Sequence, residues 1–313
     1  MSRVLSVSPE LDHQAFEALV AELPDATRSG VSILFDASAV TWVSPYGLIG
    51  LLALGREVEQ RTGKRPMLEP PRNREVSGYM ERMEFWPAAQ NVFQLPGKQA
   101  RRHGDSGALI EITSIRSNED VHAVVKKVGE GARRILQGRL GYSKASVIHF
   151  SIMLSEVCQN IVEHAGSLGW ACAQTYRWQR RLGREVAVLA VMDVGIGFEQ
   201  SLGARNASTG SAAALEAAVL RGESRFKDRG RGHGLQAIRR QVLEWHGSLR
   251  IRSGAAMVGD IAEWERRLAA GAGGEYAPDR VSVKTGLPPF PGAQVMIVLP
   301  AAEESITPGP EAA

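Results

Sequence analysis

The chain has 313 residues, of which 37 are Lys or Arg and 34 are Asp or Glu, giving a formal net charge of +3. A chain of this length is expected to hold about two domains. So small a charge, dispersed along the chain, gives no reason to expect nucleic-acid binding. The sequence has no apolar run long enough to cross a membrane, and its opening residues lack the apolar core of a signal peptide. We therefore expect a cytoplasmic protein without membrane contacts.

Residues 1–97 alternate between helical and extended patterns. Such alternation favours an α/β domain. The patterns predict a helix at Leu11–Leu23, a strand at 31–38, a helix from Pro45 or Tyr46 to Thr62, a short strand and turn at Pro66–Pro71, and a helix at Val76–Met83.

Two segments of this domain, FDASAVTWVSPYGLIGLLAL and GYMERMEFWPAAQNVF, resemble the STAS domain of anti-sigma factor antagonists. In that family, a strand leads into a loop that carries a phosphorylated serine at the start of a helix. With the sequences aligned on Gly47-Leu48, Pro45 takes the place of that serine and offers no hydroxyl. Ser44 is an alternative acceptor, but a Ser before a Pro at the first helical position is typical of an N-cap. The resemblance therefore implies a domain that does not undergo the usual phosphorylation.

A polar, basic and glycine-rich segment at 98–107 is typical of a linker. It precedes a second predicted domain at 108–300, which starts with a strand at 108–115 and a helix at Asn118–Gln137. The last residues, 301–313, are expected to be a disordered tail.

Two late strands of the second domain, at 246–254 and 293–300, are expected to pair in antiparallel fashion. An insertion at 255–291 separates them and includes a predicted helix near Asp260–Ala270. So long an insertion in a compact domain is often functional. The insertion is compatible with a surface that binds a partner and with an elaborated loop that has no function of its own.

A long helix is predicted at Ser143–Gly166. Its apolar face would consist of Val147, Phe150, Leu154, Val157 and Ile161. Along another face, Glu156, Asn160 and His164 follow each other at i, i+4 spacing, which lines up a carboxylate, a carboxamide and an imidazole. That strip suits a bound cation with a polyphosphate, although a solvated helix face is the alternative. Cys158, beside the apolar face, is expected to be a buried thiol.

Two further segments follow in order. The apolar run at 186–197 predicts a strand that delivers Asp193, Gly195 and Gly197 to a loop. The segment at 229–242 predicts a glycine-rich loop that opens a helix whose apolar residues are Leu235, Ile238 and Val242. Each segment alone is a weak signal, since glycine-rich loops are common. Because both segments follow the polar helix in a fixed order, a chance combination of the three is a poor explanation.

Together these segments resemble the GHKL ATP-binding fold shared by gyrase, Hsp90, histidine kinases and MutL. The N-box looks like Glu156-x-x-x-Asn160, continuing to His164; the G1 box looks like Asp193-x-Gly195-x-Gly197; and the G2 box looks like Gly230-x-Gly232-x-Gly234-Leu235. Gly292-Ala293 stands where the family usually has Gly-Thr before its last strand. The implied fold class is α/β, with a STAS-like domain followed by an α+β sandwich, a mixed sheet covered by helices.

The resemblance also implies the roles of single residues. Asn160 would hold Mg²⁺, Glu156 would act as a general base, and Asp193 would accept a hydrogen bond from the adenine amino group. Backbone N–H groups of the glycine-rich loop would bind phosphates at a helix N-terminus. The implied nucleotide-binding set is Asn160, Asp193, Gly195, Gly197, Gly230, Arg231, Gly232, His233, Gly234 and Leu235.

The resemblance also implies an ATP lid at Phe198–Arg229, and the Gly, Ser and Ala content of this segment fits a mobile loop better than a packed element. The cationic side chains Arg225, Lys227, Arg229 and Arg231 would screen the triphosphate, with a solvated basic loop as the alternative.

The compact layout resembles anti-sigma-factor serine kinases. This resemblance implies ATP and Mg²⁺ as cofactors and a serine on a STAS-type or sigma-type partner protein as the substrate. The alternative is a switch without catalysis, in which ATP orders the lid and changes partner affinity. Slow hydrolysis as in gyrase is less favoured because no transducer domain follows. The sequence leaves the partner, the turnover of ATP and the oligomeric state open, a homodimer included.

Overall fold

The computed structural model describes residues 2–28, 30–97, 110–132, 136–162, 167–178, 184–203, 210–223, 234–259, 261, 264 and 282–302. Residues 2–97 are called the N-terminal unit here, and residues 110–302 the C-terminal unit. The expected α/β class is confirmed. The linker at 98–107 lies outside the described residues, so the division of the chain into two domains stays a prediction. Of the expected tail at 301–313, the structure describes Ala301 and Ala302, whose N–H groups donate to the Glu185 and Leu140 carbonyls at 2.9 Å and 2.7 Å, and the rest lies outside the described residues.

The N-terminal unit is built on a small parallel sheet. Its strands and helices are β1 (Ser2–Ser6), β2 (Glu10–Leu11), α1 (His13–Arg28), β3 (Ser32–Asp36), β4 (Trp42–Val43), α2 (Pro45–Thr62), β5 (Met67–Glu69), α3 (Arg74–Arg82) and α4 (Phe85–Ala89). The strand order is β1-β3-β5, and both ladders are parallel. Strands β2 and β4 form a separate parallel pair.

Helix α2 begins and ends where the sequence indicates. The Ser44 hydroxyl accepts the Gly47 N–H at 3.0 Å, so Ser44 is the expected N-cap, and Pro45 opens the helix. Gly63 ends it in the left-handed conformation at φ 69°. Helix α1, in contrast, starts later than predicted, because the Asp12 carboxylate accepts the N–H groups of Gln14 and Ala15 while Leu11 pairs in β2.

The C-terminal unit contains the larger sheet. Its elements are β6 (Ile110–Ile115), α5 (Asn118–Ala132), α6 (Lys144–Asn160), β7 (Gly169–Trp178), β8 (Arg184–Asp193), α7 (Gly197–Gly203), α8 (Ser211–Leu220), α9 (Gly234–Glu244), β9 (Ser248–Gly254), β10 (Ala256–Val258), β11 (Val283–Lys284) and β12 (Phe290–Pro300). The strand order is β11-β10-β9-β12-β8-β7-β6, and every described ladder is antiparallel. Among the described strands, the parallel ladders are thus in the N-terminal unit. The predicted pairing of the late strands is confirmed as β9 with β12.

The large sheet is buried on both faces. Alternate residues of β8 point to opposite sides. Ala187, Leu189 and Val191 pack with the apolar faces of α5, α6, α8 and α9. Val186, Val188, Ala190 and Met192 instead pack with the N-terminal unit, where α2 supplies most of the cover. The N-terminal unit is therefore a layer on the face of the sheet opposite α6.

The segment at 255–291 extends the edge of this sheet. Strands β10 and β11 pair with each other, and β10 pairs with β9. Of the predicted helix near Asp260–Ala270, the structure describes Ile261 and Trp264, both buried, and the Trp264 indole N–H donates to the His246 carbonyl at 2.9 Å. No helix among the described residues is long and apolar enough to span a membrane.

Candidate functional site at the end of strand β8

Asp193 ends β8 and is 5% exposed. Its two carboxylate oxygens accept different backbone N–H groups, Oδ1 from Gly195 at 2.8 Å and Oδ2 from Ala293 at 3.2 Å. A carboxylate has about four lone-pair sites, so capacity for a further donor remains. Burial raises the pKa of Asp193 to about 6, and the hydrogen bonds from Gly195 and Ala293 oppose that rise.

Glycines around Asp193 are required by space and by backbone conformation. Gly292 has φ 74°, and a side chain there would collide with the Asp193 carbonyl and carboxylate. Gly197 has φ 69°, and a Cβ atom there would lie 2.7 Å from the Ser253 hydroxyl. Both positions bring backbone segments close together beside the carboxylate. Gly195 contributes its N–H to Asp193, as described above.

Ser253 links the segments that frame Asp193. Its hydroxyl accepts the Phe198 N–H at 3.1 Å and donates to the Gly292 carbonyl at 2.7 Å. The Gln294 amide donates to the Asp193 carbonyl at 3.2 Å and to the Pro291 carbonyl at 2.7 Å. Sequence analysis missed Ser253 and Gln294, because neither belongs to a local motif. Both are buried polar residues on the paired strands β9 and β12, a signal that appears only once the pairing is known.

The polar strip of α6 meets the start of α9. Glu156 is exposed and Asn160 is partly buried, while the predicted apolar residues Val147, Phe150, Leu154, Val157 and Ile161 are all buried. A Cβ atom at Gly234 would lie 2.8 Å from Glu156 Oε2, so glycine lets the start of α9 approach this carboxylate. Leu235, next in the chain, is buried in the core with Ile238 and Val242, as predicted.

The end of α6 also lies beside the end of β8. The Ile161 side chain is 2.7 Å from where a Cβ atom at Gly169 would stand, and Gly169 pairs with Asp193 across the β7–β8 ladder. Asn160, which precedes Ile161, is thus at the same end of the sheet as Asp193. The structure therefore brings together Glu156, Asn160, Asp193 and Gly234 at one end of the C-terminal unit.

Several predicted site residues lie outside the described residues. These are His164 on the helix strip and Gly230, Arg231, Gly232 and His233 in the glycine-rich loop, together with the cations Arg225, Lys227 and Arg229. In the part of the chain that the structure does describe, no group of three His, Cys, Asp or Glu side chains is placed to hold a metal ion. The described part of this strip carries two oxygen donors of the kind that Mg²⁺ prefers, the carboxylate of Glu156 and, one helical turn further, the carboxamide of Asn160.

The expectation of a mobile lid at Phe198–Arg229 is wrong for much of that segment. Helices α7 and α8 occupy it, and α8 buries Leu215 and Val219 fully against the sheet-side core. The sequence SAAALEAAVL is rich in the strong helix formers Ala, Leu and Glu, and its apolar side chains gain by burial. The Ser211 hydroxyl donates to Glu199, and the Gln236 amide donates to the Leu220 carbonyl at 2.8 Å, so α8 is tied at both ends.

Comparisons with known proteins do not identify this chain: no family model, curated protein or solved structure matches it.

Proposed function

We propose that the chain binds Mg-ATP at the end of β8 and α6 and acts in the cytoplasm as a protein serine kinase of the anti-sigma type on a separate STAS-type partner. The observation that carries this proposal is the convergence of three separate sequence segments. Glu156 touches the start of α9 at Gly234. Ile161, the residue after Asn160, packs beside Gly169, which pairs with Asp193 across the β7–β8 ladder. Those are the segments that carry the resemblance to GHKL nucleotide sites.

The residues present are chemically suited to that ligand. Asp193 has acceptor capacity left for an exocyclic amino group, which adenine has and guanine lacks at the corresponding position. Helix α9 begins at Gly234, and a helix N-terminus presents backbone N–H groups and the positive end of the helix dipole, which suit phosphate oxygens. Asn160 would hold Mg²⁺. Bound Mg-ATP would supply the γ-phosphoryl group, and Glu156, exposed beside the start of α9, would accept the proton of the attacking serine hydroxyl.

The position of the Ser44-Pro45 loop favours a substrate on another molecule. Ser44 is 2% exposed, and its hydroxyl is engaged with the Gly47 N–H and the Leu11 carbonyl. The carbonyl of Pro45 accepts the Cys172 thiol at 3.4 Å, on the face of the sheet opposite α6. The sheet thus separates this loop from Glu156, which favours a substrate serine on another molecule over one in the N-terminal unit.

A switch without catalysis is the second candidate. The N-terminal unit packs on the sheet whose strand β8 ends in Asp193, and this favours a switch, because a ligand that prefers one arrangement of the packed layers shifts the population towards it. In that case ATP would bind without turnover.

Calorimetric titration with ATP and GTP, with and without Mg²⁺, tests the binding proposal. We expect selective, Mg-dependent binding of ATP, weakened by Asn160→Ala and unchanged by Asn91→Ala, a substitution of an exposed Asn in the N-terminal unit. The absence of ATP binding by the wild-type protein would overturn the proposal.

Transfer of the γ-phosphoryl group, assayed with a purified anti-sigma factor antagonist of STAS type, separates kinase from switch. Glu156→Gln should keep ATP binding and lose transfer, while Glu119→Gln, which removes an exposed carboxylate of α5, should keep both. ATP binding by the wild-type protein without transfer or hydrolysis would favour the switch.

A further inference from the structure

Glu17 of α1 forms ionic contacts between the N-terminal and C-terminal units. Its Oε1 atom accepts Nη2 of Arg250 at 2.6 Å, and both of its oxygens accept Nε of Arg252 at 3.0 Å. The two arginine side chains are 2% and 0% exposed, and Glu17 is 23% exposed. One carboxylate from the N-terminal unit therefore neutralises part of the charge of two guanidinium groups buried on β9.

Aromatic rings enclose these buried charges. The Arg250 guanidinium lies 5.1 Å from the centre of the Tyr46 ring, and that of Arg252 lies 5.7 Å from the centre of the Phe290 ring. Phe16, the neighbour of Glu17, makes edge-to-face contacts with both rings. Low-polarity surroundings strengthen the attraction between Glu17 and the arginines. Loss of the carboxylate would therefore lower the stability of the fold, since the arginines would stay buried without their partner.

Arg252 connects this contact to the residues that surround Asp193. Its Nη1 atom donates to the Gly254 carbonyl at 3.1 Å, and its Nη2 atom donates to the Pro288 carbonyl. Between Arg252 and Gly254 stands Ser253, whose hydroxyl holds the Phe198 N–H and the Gly292 carbonyl. Directly across the ladder from Arg252 is Gln294, which donates to the Asp193 carbonyl. The contact thus continues from Glu17 to Arg252 by hydrogen bonds, from Arg252 to Ser253 and Gln294 through the backbone of the paired strands, and from these two side chains to the backbone around Asp193.

We propose that Glu17 is a positioning residue for the Asp193 site, so that docking of the N-terminal unit and binding of the adenine base favour each other. The inference rests on the function proposed above and adds its regulation: the N-terminal unit acts as a regulator within the same chain. By linkage, any factor by which docking strengthens ATP binding is the factor by which ATP strengthens docking.

Nucleotide affinity of the full-length Glu17→Gln variant tests the inference. The variant keeps the size of the side chain but removes the charge that orders Arg252. We expect its affinity for Mg-ATP to fall about tenfold, within the usual range of coupling between sites, and its preference for ATP over GTP to fall with it. The matched control is Glu22→Gln, which removes an exposed carboxylate from the same helix and should leave both quantities at the wild-type value. A purely structural role of Glu17 would lower the thermal midpoint of Glu17→Gln without changing the preference for ATP over GTP.

Hydrogen exchange on the wild-type protein gives a measurement that does not depend on the folding of a variant. We expect Mg-ATP to slow amide exchange in α1 as well as in the segments around Asp193. Unchanged exchange in α1 together with slower exchange near Asp193 would overturn the inference.

The outcomes separate this inference from the proposed function. If the wild-type protein does not bind ATP, both are wrong. If the wild-type protein binds ATP and Glu17→Gln binds it with the same affinity and selectivity, the proposed function stands and the coupling is wrong.

Discussion

Asp193 illustrates how a residue can be required by the fold and still be available to a ligand. The carboxylate joins two chain segments by accepting the N–H groups of Gly195 and Ala293, which are far apart in sequence. The same burial that makes these bonds strong raises the pKa of the group to about 6. Perturbed carboxyl groups of this kind are enriched at functional sites. They also occur in structural turns, and substitution distinguishes the two roles.

Asp193→Asn should reduce both stability and ATP affinity. Asparagine has one acceptor oxygen, so one of the two backbone N–H groups loses its partner, which lowers the free energy of unfolding by about 1–3 kcal/mol. The carboxamide also brings its own donor towards the adenine amino group, and we expect ATP affinity to fall at least about tenfold. Denaturant titration and calorimetry on the same sample measure the two effects. A loss of stability with unchanged ATP affinity would make Asp193 a structural turn residue only.

The raised pKa of Asp193 predicts a pH dependence with a definite sign. In the unfolded chain this carboxyl has a pKa near the ordinary value of about 3.9, so between about pH 4 and pH 6 the folded state binds the extra proton. The contribution of Asp193 to stability is therefore full below about pH 4 and is lost as the pH rises through about 6. Relative to Asp193→Asn, the wild-type free energy of unfolding should fall by up to about 3 kcal/mol over this range. Parallel urea titrations of the two proteins would refute this if their difference stayed constant with pH.

Among the elements, α2 shows that a local sequence can define where a helix begins and ends. Its start follows from Ser44 and Pro45 and its end from Gly63, so both boundaries were predictable. The five apolar positions of α6 were predictable for a similar reason, because helical periodicity is a local property. The strands β1, β2 and β4 were missed, since they are short and β1 is mostly exposed. Helix α8 was missed because the resemblance outweighed its clear helix-forming composition.

Glycines of α2 let neighbouring elements approach, and this gives a prediction for packing. A Cβ atom at Gly50 would lie 2.8 Å from Cδ2 of the fully buried Phe16. Gly50→Ala should destabilise the protein by about 1–3 kcal/mol, because overpacking outweighs the gain of about 1 kcal/mol in helix propensity. The matched control is Gly78→Ala in α3, where the nearest atom is the flexible end of Arg82 at 3.4 Å. There we expect unchanged or increased stability; equal losses in both variants by thermal denaturation would contradict the packing argument.

At the scale of the whole molecule, the large sheet is the shared structure of the two units. The unbroken apolar run of β8 is what a strand buried on both faces requires, and such a run was visible in the sequence. What covers each face was not predictable. The contacts of Glu17 with Arg250 and Arg252 join residues more than two hundred positions apart, and no local pattern encodes them. The same holds for Ser253 and Gln294 at the candidate site.

Removal of the N-terminal unit should expose one face of the large sheet. Val186, Val188, Ala190, Met192 and the buried arginines would then face water or another molecule. Exposed apolar patches of this extent promote association. We expect a fragment starting at residue 108 to aggregate or to form oligomers in size-exclusion chromatography, whereas full-length Glu22→Gln behaves as the wild-type protein does. A monomeric fragment with cooperative unfolding would show that the N-terminal unit is dispensable for the core.

The two cysteines lie on opposite faces of the large sheet. Cys172 of β7 is covered by the N-terminal unit and donates its thiol to the Pro45 carbonyl, whereas Cys158 belongs to α6 and is buried between the helical layer and the sheet. Both are free and buried, and burial raises the pKa of both thiols, which slows alkylation while the layers remain in place. Each thiol therefore reports the opening of one layer only. Dissociation of the N-terminal unit from the sheet would make Cys172 reactive and leave Cys158 protected. The protein thus carries two chemical probes, one for the opening of each layer.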